Sequence, residues 1–290
     1  MSFKTRLSSV VEFGWMLAAS VAGKLWRSHA RPWSSPGAQR VMVIAPHPDD
    51  EVVGCAGALI EHRRCGDAIS MVFATDGGRS RALGLDRVAM IDRRRQEAQA
   101  SAHYFQAKSV WLGWPEGEWT SEEAATFLKS TLTTVNPQVI YVPSRVDFHP
   151  EHRRVAQAIA RALPPDSSIE LRAYPVLVPL TPALGNLVLD VSAHHSEIES
   201  VMGVYETQVD TVRRGWRVRR YAARLHHVGA WAEEFWQMSA QQYRRLHLDD
   251  DGVAHFRGLR GRAWTDGLAY LVGWRERRQL RARAESSQMA

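Results

Sequence analysis

The stretch Val41-Met42-Val43-Ile44-Ala45-Pro46-His47-Pro48-Asp49-Asp50-Glu51 decides the fold. Its five leading apolar residues form a run too short for a helix and unbroken by polar groups, which reads as a strand buried on both faces. Pro48 suits the first position of a helix, where its missing N–H costs nothing. Asp49, Asp50 and Glu51 then fall in the first turn, where the helix dipole favours negative charge. The stretch is therefore a strand, a tight turn and a helix start.

The same rhythm recurs outward from it. Apolar runs at 41–45, 68–74, 110–112 and 139–142 alternate with helical stretches at 51–64, 87–105, 121–135 and 152–163, the last with Val155, Ile159 and Leu163 one turn apart. Such alternation predicts an α/β fold: a Rossmann-like, mostly parallel sheet with helices on both faces, plus helical N- and C-terminal extensions. The expected division is an extension and linker over 1–38, a catalytic domain over 39–236 and a basic helical extension over 237–290. In open parallel sheets ligands gather beyond the carboxyl ends of the strands, which is where chemistry is to be sought.

Composition excludes several classes. With 45% apolar and 23% charged residues in 290, the chain is neither disordered, collagen-like nor a coiled coil. No window reaches the roughly 18 uncharged apolar residues of a membrane span. Cys55 and Cys65 are too few for a disulfide framework, so a reducing, cytoplasmic setting is expected. The net charge of +6 is unevenly spread: residues 1–40 carry six bases against Glu12, and residues 211–290 carry sixteen arginines against eight acids. The middle, 41–210, is acidic, with 15 bases and 22 acids. An acidic centre between basic flanks separates a candidate cation-binding region from regions able to touch an anionic surface.

Near the amino end, Val10 to Val21 is apolar behind Lys4 and Arg6, but Glu12 interrupts it and the run is short for a cleaved signal. With Trp15 and Trp26 it reads as an interfacial helix on the cytoplasmic face of an anionic membrane, or, more plainly, as a helix packed on its own domain. Residues 28–37 read as a linker.

A second turn, Asp147-Phe148-His149-Pro150-Glu151-His152, repeats the grammar of the first after the fourth strand. His47, Asp50 and His152 together offer two imidazoles and a carboxylate, a set that suits Zn²⁺ with one position open for water; other divalent first-row metals suit it too. Asp49, beside a ligand but able to point elsewhere, is the candidate general base. His149 is the candidate to stabilise an oxyanion or to protonate a leaving amine. Singly, His-Pro is a turn device and Asp-Asp a capping device; the weight lies in two such turns on one sheet. The two-histidine, four-residue helix pattern of metalloproteases is absent.

These residues resemble the PIG-L/LmbE-like zinc-dependent N-acetylglucosamine N-deacetylases, over roughly residues 40–236. The likeness rests on His47-Pro48-Asp49-Asp50-Glu51, Thr75-Asp76-Gly77-Gly78, Arg94 with Glu97 and Ala98, His149-Pro150-Glu151-His152, and Ala232-Glu233-Glu234-Phe235. The family often has Asp where Glu151 stands. The resemblance implies His47, Asp50 and His152 as metal ligands, Asp49 as base, His149 as electrostatic or acid partner, and Arg94 on the substrate's sugar hydroxyls or phosphate side. It implies hydrolysis of the N-acetyl group of an N-acetylhexosamine in a sugar conjugate.

The remaining signals are weaker. Trp111 reads as a buried strand residue and Trp119 as a helix-entry staple, while Trp114, in a Gly- and Pro-containing loop, can stack on a sugar face. The Gly77-Gly78 turn with Arg79 and Arg81 reads as a substrate loop. Arg213 to Leu225 suits a basic amphipathic helix, and Arg257 to Arg278 repeats the style. No nucleic-acid module is present. Three readings remain: deacetylation of a glycolipid or cell-surface polysaccharide precursor, the same reaction on a small soluble glycoside, and a non-catalytic basic membrane-binding adaptor.

Overall fold

Along the central strand, Val41, Val43 and Ala45 point to one side and Met42 and Ile44 to the other, and all five are completely buried. That two-sided burial is why the run lacks polar alternation. The computed structural model describes residues 28–248 apart from Phe148 and Leu177, together with 274–285 and most of 14–24.

Eight strands form one sheet: β1 (Arg31–Pro32), β2 (Arg40–Ala45), β3 (Ala68–Thr75), β4 (Lys108–Trp114), β5 (Val139–Pro143), β6 (Glu170–Tyr174), β7 (Leu187–Asp190) and β8 (Ala232–Ser239). Their order is β1-β7-β8-β6-β5-β2-β3-β4. All pairings are parallel except those of β8 with β6 and β7. One layer holds α1 (Asp50–Arg64), α2 (Arg87–Tyr104) and part of α6 (His195–Met202); the other holds α3 (Ser121–Val135), α4 (Pro150–Ala162) and α8 (Ala240–Leu248). The other numbered helices are a single turn α5 (Thr181–Leu184), the long α7 (Val209–His226) and α9 (Trp274–Glu285).

The sheet's order sets the site. The chain runs from β2 to β3 and β4 on one side, then returns to lay β5 on β2's other edge. The connections after β2 and β5 therefore leave in opposite directions, opening a crevice at their carboxyl ends.

Local signals place the helix starts. Thr120 and Glu123 form a reciprocal capping box at α3, and Asn136 closes that helix in the left-handed conformation. Asp86 caps α2 through the Ala89 amide. At α4, His149 is the N-cap and Pro150 follows it. α1 carries two glycines for close approach: a Cβ at Gly54 would lie 2.2 Å from Tyr174, and one at Gly57 2.3 Å from Val191.

The flanks of residues 39–236 join the same structure. β1 adds to the sheet through β7, and Trp33 is buried with its indole N–H on the Tyr141 hydroxyl at 2.8 Å. Ala240, Tyr243 and Leu246 of α8 sit in the core beneath α4. Near the amino end, residues 16–21 are helical and Ala19 packs on Tyr221 and Leu225 of α7, leaving Leu17 and Val21 exposed. The basic stretch from Arg213 to Leu225 lies within α7, which turns Val218, Tyr221 and Leu225 inward. Trp15, Trp26, the turn at 249–252 and the arginines at 257, 260 and 262 lie outside the described residues. No helix among the described residues is long and apolar enough to cross a membrane.

Candidate active site

His47 ends the β2 turn and His152 stands in the first turn of α4, so the crevice between β2 and β5 brings them together. His47 Nδ1, Asp50 Oδ2 and His152 Nε2 are mutually 3.2 Å apart. Ligand atoms about 2.0–2.1 Å from a tetrahedral zinc stand about 3.3 Å from one another. The three atoms thus already form one face of such a coordination shell. His47 N–H also donates to Asp50 Oδ2 at 2.8 Å, fixing the carboxylate.

The far nitrogens of both imidazoles face carboxylates. His47 Nε2 is 3.2 Å from Glu116 Oε1. His152 Nδ1 is 3.0 Å from Asp147 Oδ2, although the pair is out of line for a hydrogen bond and neither atom has another partner. A carboxylate behind a histidine fixes which nitrogen presents its lone pair forward. These acids oppose burial strongly: burial alone would depress His47, but Asp50 and Glu116 push it up to about 9. His152 is likewise raised, by Asp50 and Asp147 against the cost of burial. Asp50 is driven well below the usual carboxylate range by His152 and His47, although burial works the other way.

His149 is the third imidazole of the group, its ring centroid 4.7 Å from that of His47 and 4.9 Å from that of His152. Ligand atoms of His47, His149 and His152 all lie within 4.8 Å of one another. As the N-cap of α4, however, His149 accepts the Glu151 amide at Nδ1, 3.3 Å away. Burial and the two neighbouring imidazoles lower its pKa to about 4. A neutral ring accepting at Nδ1 carries its proton on Nε2, which makes it a donor.

Asp49 turns away from Asp50. Its backbone sits at φ +139°, a region side-chain-bearing residues rarely occupy and one that costs strain. Arg94 holds it there, donating to Asp49 Oδ1 at 2.9 Å and to the Pro48 carbonyl at 2.5 Å. Glu51 also supports the turn: it accepts the Asp49 amide at 3.1 Å, the Ser101 hydroxyl at 2.7 Å and the Tyr205 hydroxyl at 2.5 Å. Burial, aided by Asp50 and opposed by Arg94, pushes the Asp49 carboxyl up to about 7. That value suits a group exchanging protons near neutrality.

A cavity of about 260 Å³ joins His47, Asp49, Asp50, Arg94, His149 and His152. Six of the seven residues singled out from sequence therefore share one space. The seventh, Trp114, does not line it. Its ring lies 4.8 Å from that of Trp119 and 6.5 Å from that of Phe127, against the outer core layer. Arg94 lines the cavity but spends its terminal nitrogens on Asp49, Pro48 and Gly77, leaving Nε buried without a partner. Gly77 is needed for this: a Cβ there would meet Arg94 at 2.7 Å.

Arg79, from the loop read as a substrate loop, also lines the cavity, and residues the sequence did not single out complete the walls: Glu116, Ser80, Val176, Gln208 and Thr211. Glu116 lay beside the tryptophans in the β4–α3 loop, where the aromatic pattern drew the reading. Gln208 and Thr211 precede and open α7, and reach the site only through packing; Gln208 donates to Ser80 Oγ at 3.1 Å.

Comparison with known proteins fits this geometry. Residues 42–163 match the PIG-L family model, described as GlcNAc-PI de-N-acetylase. Over that stretch the chain resembles the PIG-L/LmbE-like metal-dependent deacetylases, a family of amidohydrolases. Among solved structures it is similar in fold to N,N'-diacetylchitobiose deacetylase from Pyrococcus horikoshii, with TM-score 0.61 and 21% identity over 70% of this chain and 85% of that one. It is also similar to a zinc-inhibited form of the teicoplanin deacetylase Orf2, with TM-score 0.54 and 15% identity over 68% and 97%. GalB, the 4-carboxy-2-hydroxymuconate hydratase from Pseudomonas putida KT2440, shares the fold at TM-score 0.56 and 18% identity over 68% and 95%. A fold that also carries a hydratase does not fix the reaction by itself.

Proposed function

We propose that the protein removes the N-acetyl group from an N-acetylhexosamine unit, of the N-acetylglucosamine type, in a glycolipid or cell-surface polysaccharide precursor. One observation carries the chemistry: His47 Nδ1, Asp50 Oδ2 and His152 Nε2 stand 3.2 Å apart at the floor of a cavity that also holds the Asp49 carboxylate and the His149 ring.

His47, Asp50 and His152 hold the metal in this reading. Zn²⁺ fits their nitrogen and carboxylate donors, and another divalent first-row ion can replace it. His149 is not among the ligands, because its Nδ1 caps α4 and its proton sits on Nε2. A bound ion supplies Lewis acidity at the point where an acetamide, a poor electrophile, most needs it.

The chain's own groups do the rest. Asp49 takes a proton from the attacking water, with Arg94 fixing the carboxylate's direction. His149 Nε2–H donates to the carbonyl oxygen as negative charge develops on it. The leaving nitrogen receives its proton from Asp49, which has just gained one; His149, a neutral ring with one N–H, stays a hydrogen-bond donor throughout. Three of Arg94's five N–H groups are spent on Asp49, Pro48 and Gly77, so its larger part is to hold Asp49. Trp114 has no contact with the sugar here, since its face is taken by Trp119.

The glycolipid side of the reading rests on the family match and on the basic flanks. The test is mass spectrometry of glycolipid and polysaccharide extracts incubated with purified, zinc-loaded protein, alongside small N-acetylglucosamine glycosides. Loss of acetyl from the extracts, with matching acetate release, supports it. Deacetylation of the small glycosides alone moves the substrate to a soluble conjugate, and no acetate release from any of them overturns the deacetylase reading.

A further inference from the structure

Glu151 stands between His149 and His152 in the first turn of α4, but its carboxylate points at neither. It is 5% exposed and reaches across to the β4–α3 loop. Oε2 accepts the Trp119 indole N–H at 2.8 Å, and Oε1 accepts the Gly117 amide at 3.2 Å. Arg154, one turn on, donates to Oε1 at 2.9 Å and lies over the Trp119 ring at 5.2 Å. The loop so held carries Glu116 between Pro115 and Gly117, and Glu116 Oε1 is the atom 3.2 Å from His47 Nε2.

A second set of bonds supports the loop from the other side. The Glu116 amide donates to Asp76 Oδ1 at 3.4 Å, and Glu116 Oε2 accepts the Arg79 amide at 3.2 Å. Gly117, at φ +79°, packs so closely on the Arg79 guanidinium that a Cβ would lie 2.6 Å away. The loop's position is therefore set by short polar contacts, and the two to α4 both end on one carboxylate.

We propose that Glu151 is a positioning residue: it clamps the β4–α3 loop to the start of α4, and through that loop holds Glu116 against His47. The inference rests on the metal-site reading above, in which His47 binds through Nδ1. An aspartate, one methylene shorter, cannot span from the same backbone to both Gly117 and Trp119. The clamp ties the two halves of the site together, since His152 rides on the same turn of α4 as Glu151 while Glu116 steadies the histidine contributed by β2. Carboxylates behind metal-binding histidines typically matter by 10–100-fold in metal affinity.

The test is a zinc titration against a chelating dye, run on the wild type, Glu151→Asp, Glu116→Gln, the double variant and Trp119→Phe, with the Tm of each recorded. Glu151→Asp and Glu116→Gln should each weaken zinc binding about 10-fold or more. The double variant should bind no more weakly than Glu116→Gln alone, because both changes break one chain of contacts. Trp119→Phe, which removes the indole N–H to Glu151 together with part of the ring packed on Trp114 and Arg154, should weaken binding in the same direction, with the packing loss read in its Tm. A lowered Tm with zinc affinity within twofold of wild type, or losses that multiply in the double variant, overturns the proposal and leaves Glu151 a purely structural residue. If zinc binds the wild type and is lost in Asp50→Ala while the clamp variants bind normally, only the clamp fails. If the wild type binds no zinc, the metal-site reading fails with it.

Discussion

His47 Nδ1 and His152 Nε2 lie 3.2 Å apart although 105 residues separate them in the chain. Two imidazoles do not share a buried corner without something to reconcile them. Here Asp50 lies against both, and Glu116 and Asp147 stand behind them. Three carboxylates around two rings make a negative pocket that a divalent cation would neutralise, and binding it there would displace protons.

Separate variants distinguish ligand from base. Asp50→Ala should lose both metal and activity, since it removes one of three donors. Asp49→Ala should keep near-normal zinc content and lose turnover by about 10²–10⁴-fold, the usual contribution of a general base. Metal analysis paired with acetate release reads both. An Asp49→Ala protein that keeps its rate would remove the base assignment.

Chelation should abolish acetate release, and added Zn²⁺ should restore it. It should also lower Tm, because a ligand bound only to the folded state at 100 times its Kd contributes about 2.7 kcal/mol. Thermal scans with and without chelator check this; equal Tm values would mean that no tightly held ion is present.

His149→Ala separates a triad of histidines from the set that includes Asp50. As a donor to the developing oxyanion, His149 should cost about 10²–10³-fold in kcat when removed, with zinc affinity little changed. A loss of affinity as large as that of His152→Ala would make His149 a ligand.

Much of this was legible in the sequence where one residue's neighbours along the chain decide its role. The stretch read as helical at 121–135 is α3, started by the Thr120 capping box and closed by Asn136, and the two His-Pro turns fall at the ends of β2 and β5. β6 and β8 were hidden because charged residues interrupt them. Arg172 is buried against Tyr141 and Glu170, while Glu233 and Glu234 are buried against Arg219 and His226 of α7. Such partners come from elsewhere in the chain, so no local pattern announces them. Glu116 and Gln208 escaped notice for the same reason. Trp114 was offered to the substrate because a loop tryptophan looks exposed until its stacking partner is known.

The Arg219–Glu233 pair yields a stability prediction. Glu233 accepts the mid-helix amides of Gly57 and Ala58 at 2.9 Å, and Arg219 donates to Glu233 at 2.6 Å and to the Val52 carbonyl at 2.8 Å. Both are nearly inaccessible to solvent. Arg219→Met strands a buried carboxylate and should cost about 3–5 kcal/mol. Adding Glu233→Gln should return part of that loss. Urea denaturation of both variants checks it, and a single variant within about 1 kcal/mol of wild type would show the pair to be better hydrated than its burial implies.

His62 gives the protein an acid limit. It is fully buried, its Nδ1–H on Asp67 at 2.5 Å and its Nε2 facing the Tyr141 hydroxyl at 2.9 Å. That hydroxyl already accepts from Trp33 and Arg172, so its own proton must go to Nε2, and the ring must stay neutral. Burial, with Arg172 nearby and Asp67 opposing, lowers its pKa to about 4. An unfolded histidine takes up its proton near 6.5. Unfolding therefore absorbs a proton between those values: stability contributed by the neutral ring is complete above about pH 6.5 and falls as the pH drops towards 4. The loss over that window should be about 3 kcal/mol. Melting curves from pH 7.5 to 4 should show Tm declining for the wild type and a shallower decline for His62→Gln, which keeps a hydrogen-bonding side chain but has nothing to protonate. Parallel curves for the two proteins would assign the acid sensitivity to other groups.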